Sequence, residues 1–103
     1  MIENTHRIST ITIETETKNF CPIGKDYYTN QFTIYFSPYK AIPDYCELDK
    51  WVENNIYGKS LMVEDAVALL FDYLSKEYQP AELEVESYIE DAKHCKVTVS
   101  KHS

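Results

Sequence analysis

Apolar and polar positions alternate over residues 8–17. Ile11, Ile13 and Thr15 fall on one side and Thr12, Glu14 and Glu16 on the other, the period-two pattern of a half-buried strand. Residues 30–37 repeat it, with Phe32, Ile34 and Phe36 against Thr33, Tyr35 and Ser37. Neighbouring strands of this kind pair antiparallel, and the residues between them predict a medium-length loop. The period then changes. The chain turns between Pro38 and Pro43, and Asp44 is placed to cap a helix over residues 44–53 that carries Leu48, Trp51 and Val52 on one face. Residues 54–58 end that helix. Ser60 is a second candidate N-cap, for a helix over residues 61–78 in which Val63, Ala66, Val67, Leu70 and Leu74 form one stripe. Pro80 stops the stripe. Residues 81–89 alternate again, Leu83, Val85, Ser87 and Ile89 against Glu82, Glu84, Glu86 and Tyr88. Cys95, Val97 and Val99 then alternate with Lys96, Thr98 and Ser100. A turn over residues 90–93 makes these a closing hairpin, with the acids of one strand expected opposite lysines of the other.

The order strand, strand, helix, helix, strand, strand predicts an α+β fold. It is one domain over residues 1–103, a four-stranded antiparallel sheet with two helices on one face. The other face carries threonine, tyrosine and charge, and both sheet edges are open. Copies joined edge to edge into a barrel would cover both. Nine tyrosines and four phenylalanines in 103 residues fit such an assembly, because tyrosine packs its ring while its hydroxyl stays hydrogen-bonded. The net charge of −7 argues against a nucleic-acid partner, which needs a basic surface. No apolar run approaches the ~20 residues needed to span a bilayer, and the first residues carry no signal-peptide pattern. Three widely spaced cysteines make no disulfide framework, which points to a reducing cytoplasm.

Candidate chemistry centres on Phe20-Cys21-Pro22-Ile23-Gly24-Lys25-Asp26-Tyr27-Tyr28. Pro22 biases Cys21 toward extended backbone. Cys21 is either a reactive thiol or a small packed side chain. Asp26 is either a proton-transfer group or a turn residue. Cys46, on the first helix, and Cys95, on the inward phase of the last strand, read as packed thiols. His6, His94 and His102 have no partners at ligand spacing, so no metal site is expected.

Phe20-Cys21-Pro22, Gly24, the strand ending in Tyr35-Phe36-Ser37-Pro38, and Glu64-Asp65 at the start of the long helix together resemble the 7-cyano-7-deazaguanine reductases. These are the nitrile reductases of queuosine biosynthesis. They share the tunnelling fold with GTP cyclohydrolase I, dihydroneopterin aldolase and pyruvoyl-tetrahydropterin synthase. The resemblance runs from about residue 19 to residue 74 and implies a homo-oligomeric barrel with its active site between subunits. It implies that Cys21 attacks the nitrile carbon to form a thioimide, a nucleophilic catalysis that splits one hard step into easier ones. It also implies that Glu64 accepts two parallel hydrogen bonds from the guanine-like edge of a small deazapurine or pterin-like base. Read from the residues alone, Glu64 is a first-turn acid favoured by the helix dipole. NADPH would supply hydride in this family.

The chain departs from the family pattern in three places. Tyr28 stands where the family has its aspartate, and Asp26 is the nearest acid that could replace it. In the stretch from Asp44 to Asp49 only Leu48 keeps the family's NADPH motif; both lysines are lost, one to an acid. Val63 replaces a histidine. Three functions follow from the resemblance: an NADPH-dependent nitrile reductase; an amidinotransferase-like enzyme in which an amine opens the same thioimide; and a non-catalytic pterin- or deazapurine-binding oligomer. Archaeal relatives that amidinate tRNA resemble this family, but the charge of −7 points away from tRNA toward a free base.

Overall fold

The computed structural model describes residues 2–93 and 95–103. Its main sheet has the order β2-β3-β5-β6, every neighbouring pair antiparallel, built from β2 (Ile11–Cys21), β3 (Asp26–Ser37), β5 (Glu82–Ile89) and β6 (Val97–His102). Two helices, α1 (Tyr45–Asn55) and α2 (Val63–Tyr78), join β3 to β5. A small ribbon pairs β1 (Ile2–Glu3) with β4 (Ala41–Ile42). Among the described residues no helix is long and apolar enough to cross a membrane.

Alternation decides which face the helices cover. Phe32, Ile34 and Phe36 of β3 and Leu83 and Val85 of β5 are buried against Leu48 and Val52 of α1 and Ala66, Val67, Leu70 and Leu74 of α2. Burial of this apolar surface is the main driving force for the fold. Asp44 caps α1 as expected, its Oδ1 accepting from the N–H groups of Cys46 at 3.0 Å and Glu47 at 3.2 Å. Gln79, at φ 46°, ends α2 in the left-handed conformation just before Pro80.

Several expectations need correction. The loop expected between the first two strands is mostly strand. β2 and β3 stay in step from Ile11 opposite Phe36 to Cys21 opposite Asp26, leaving only residues 22–25 to turn. The added residues are 18–21 and 26–29; their buried inward pair, Asn19 and Tyr28, follows the fully buried Thr17 and Asn30 at the expected strand ends, so hydrophobic alternation fades where pairing continues. Ser60 does not cap α2. Met62 holds the N-cap position without a side-chain hydrogen bond, and Ser60 lies in a parallel bridge with Phe20. Cys46 is exposed, and Cys95 is exposed and precedes β6 rather than lying on it. The lysines do not face the acids of β5. Glu84 and Glu86 lie opposite His102 and Ser100, while Lys101 takes the helix side and meets Asp72 at 3.6 Å. The expectation for His94 lies outside the described residues.

β5 meets β3 only from Gln31 to Ser37, so the Cys21 end of the β2–β3 hairpin overhangs the sheet. The molecule measures 45 × 24 × 17 Å, and its radius of gyration of 14.0 Å exceeds the roughly 13 Å of a compact chain this long. The candidate site sits at this overhang.

Candidate active site

The turn that carries Cys21 is tight. The Lys25 N–H donates to the Cys21 carbonyl at 2.8 Å, and Lys25 adopts φ 54°. Short hairpin loops commonly finish with one left-handed residue of this kind. Gly24 donates its N–H to Cys21 Sγ at 3.4 Å, which holds the half-buried sulfur at the hairpin end. Asp26 is the cross-strand partner of Cys21. Paired residues project to the same side of a sheet with Cβ atoms about 4.5–5.5 Å apart, so the Cys21 and Asp26 side chains leave the hairpin on the same side. Asp26 is exposed, and its Oδ1 accepts the N–H of Tyr27 at 2.8 Å.

The chain between the helices runs along the overhanging end of β2. Gly58, at φ 75°, donates its N–H to the Lys18 carbonyl at 2.8 Å. The Phe20 N–H donates to the Lys59 carbonyl at 3.2 Å, and the Leu61 N–H donates to the Phe20 carbonyl at 3.0 Å. These bonds lay residues 58–61 parallel to β2, so α2 starts beside the residue that follows Phe20, which is Cys21. Glu64 and Asp65 occupy the exposed first turn of α2. Cys21, Asp26 and Glu64 are thus brought to one corner, two by the hairpin and one by the docked connection.

A buried polar network holds that connection. The Asn19 amide donates to the carbonyls of Ile56 at 2.7 Å and Lys59 at 3.1 Å. Asn19 Oδ1 accepts from the Thr17 hydroxyl at 2.7 Å and the Asn30 amide at 2.8 Å, and Ser87 donates to Asn30 Oδ1 at 2.7 Å. Asn19 makes all four of the hydrogen bonds its amide allows. The alternation over residues 81–89 puts Ser87 on the inward phase, but nothing in the hydrophobic pattern marks Thr17, Asn19 or Asn30. The signal available was an asparagine on the inward phase of each strand.

Tyr28 completes the corner. Its ring is buried and its hydroxyl donates to the Leu61 carbonyl. Burial pushes the phenol pKa up, the Asn30 amide pulls it back, and the negative charges available to Cys21, Glu64 and Asp65 add to the rise. The position where the family carries an aspartate therefore holds a neutral hydroxyl in the same corner as the candidate residues.

The start of α1 does not fit a dinucleotide phosphate. The N–H groups of Cys46 and Glu47 are already taken by the Asp44 carboxylate, Glu47 adds charge in the first turn, and no lysine or arginine stands there. A shallow trough on the open sheet face, lined by Glu14, Glu16, Gln31, Thr33, Glu86 and Tyr88, is on the side of the sheet away from the helices.

No protein-family model and no curated protein matches the sequence. A solved structure does match the fold. The crystal structure of the archaeosine synthase QueF-Like in the apo form aligns with a TM-score of 0.84, covering 93% of this chain and 94% of that one at 20% identity. The chain therefore has the α+β tunnelling fold, two helices on a four-stranded antiparallel sheet, seen in that archaeosine synthase.

Proposed function

We propose that the chain is a deazapurine enzyme that works through a covalent thioimide on Cys21. The observation that supports this is the parallel docking of residues 58–61 on β2, which sets the start of α2 beside the cysteine hairpin. A 7-cyano-7-deazaguanine-type base binds with its guanine-like edge on the Glu64 carboxylate, which accepts from the ring N–H and the exocyclic amine. The thiol adds across the nitrile. The sulfur–carbon bond forms, one carbon–nitrogen π bond breaks, and the thiol proton ends on the imide nitrogen. Asp26 relays that proton, a role supported by its pairing with Cys21 across the ladder. A neighbouring copy closes the site at the overhang.

Two fates of the thioimide were set out above, reduction with NADPH and opening by an amine. The acidic, already capped start of α1 favours the second. An ammonia or primary amine nitrogen attacks the thioimide carbon, the Cys21 thiol leaves with a proton, and the base keeps an amidine. No oxidant or reductant is consumed. The fold similarity to an archaeosine synthase is compatible with this branch.

The test is intact mass after incubation with 7-cyano-7-deazaguanine. The wild type gains one equivalent of the base, Cys21→Ala gains none, and Glu64→Ala reacts at least tenfold more slowly. A folded wild type that gains no mass overturns the proposal. Ammonia added to the adduct releases an amidine and restores the free thiol, whereas release that requires NADPH would assign reduction instead.

A further inference from the structure

Leu61 is held at both of its backbone polar groups. Its N–H donates to the Phe20 carbonyl, beside Cys21, and its carbonyl accepts from Tyr28 on the opposite arm of the hairpin. The two arms of the thiol-bearing hairpin therefore grip one residue of the connection, three residues before Glu64. Ring burial at position 28 could be met by phenylalanine; the hydroxyl is what reaches Leu61. α2 has no side-chain cap of its own, so these ties fix where its first turn starts.

We propose that Tyr28 is a positioning residue of the base-binding site, its hydroxyl gripping the Leu61 carbonyl so that Glu64 is set against Cys21. The proposal rests on the reading of Cys21 and Glu64 given above. A displacement of about 1 Å at such a carboxylate can cost about a hundredfold in rate, so a single tether on the preceding turn has leverage on binding. A phenol keeps its proton at neutral pH at its ordinary pKa of 10, and burial pushes Tyr28 further up, so the donor is present under working conditions. The same hydrogen bond commits the proton of Tyr28 to Leu61. Tyr28 thus keeps the place of the family's acid without its proton-donating role, which leaves proton transfer to Asp26 and the thiol itself.

Tyr28→Phe tests this, because the ring stays and only the hydroxyl goes. In the base-free protein, amide hydrogen exchange at residues 61–66 rises about tenfold, while alkylation of Cys21 by iodoacetamide stays within twofold of wild type. In a Cys21→Ala background, where binding is non-covalent, Tyr28→Phe weakens the dissociation constant for 7-cyano-7-deazaguanine about tenfold. Glu64→Gln weakens it too, and the two together are no worse than Glu64→Gln alone, as expected if Tyr28 acts through Glu64. Unchanged exchange at residues 61–66 overturns the tether. Unchanged affinity, or an equal further loss in the Glu64→Gln background, overturns the positioning role. A wild type that takes up no base overturns the proposed function, and the exchange experiment still decides the tether.

Discussion

Asn19 is the residue on which most of the corner depends. Its side chain bridges two strands and the connection between the helices, with every polar group satisfied. A satisfied buried network contributes modestly to stability, but an orphaned buried partner costs about 1–3 kcal/mol. Asn19→Leu leaves the buried Thr17 hydroxyl and Asn30 amide without the acceptor they share and takes one of two donors from each of the Ile56 and Lys59 carbonyls, so a loss of about 3–5 kcal/mol in urea denaturation is expected, a large share of a small domain's total. Ser87→Ala, at the end of the chain of bonds, removes one donor and costs about 1 kcal/mol. Losses that came out in the reverse order would show that the network does not hold the connection.

At the scale of elements, the helices meet through an aromatic stack. Trp51 of α1 and Tyr73 of α2 lie with ring centroids 4.2 Å apart and planes within 10°. Burial first, then the neighbouring Tyr78 hydroxyl and the charges of Glu77 and Glu47, raise the Tyr73 phenol pKa well above its usual 10. A group whose folded pKa is raised holds its proton longer in the folded state than in the unfolded one. Its stability contribution is complete below pH 10 and is lost as pH rises past that value. Tyr73→Phe keeps the stack, so its denaturation midpoint should fall less steeply than the wild type's between pH 10 and pH 12; parallel profiles would refute the assignment. The stripes that build these elements were legible: Leu48 and Val52 in α1, Leu70 and Leu74 in α2, and the alternation of β5 all face the core as the spacing predicts. The hairpin tip was not. Past Thr17 and Asn30 the apolar alternation is lost, so Asn19 imitates a loop residue, and a hydroxyl that pairs as a bridge residue, Ser60, imitates a cap. Cys21 and Asp26 could be singled out from local sequence, but their pairing follows from strand length that apolar periodicity does not encode.

Among the described residues the sheet leaves β6 and residues 11–17 of β2 as open edges, the far end of β2 being covered by residues 58–61, and has a face of threonine, glutamate and tyrosine without helices. Open edges invite pairing, and the overhang leaves Ile23 and Tyr27 about three-quarters exposed at the candidate site. The oligomer expected from the sequence remains our proposal for how both are covered. Sedimentation velocity should give one discrete species larger than the 12.1 kDa chain. A monomer at tens of micromolar would refute it and leave the site open to solvent.

The buried asparagines also have a meaning as information. β2 offers few apolar side chains, and Thr-Glu alternation looks much the same two residues along. Sliding β2 by two residues would return each side chain to its own face, and apolar burial alone would discriminate weakly between the alternatives. Asn19 and Asn30 do discriminate, because one alignment satisfies both amides together with Thr17, Ser87 and the helix connection. That choice is also what puts Cys21 opposite Asp26. Four polar residues outside the proposed chemistry thus act as the key that selects, among near-equivalent pairings, the one in which Cys21 and Asp26 are cross-strand partners.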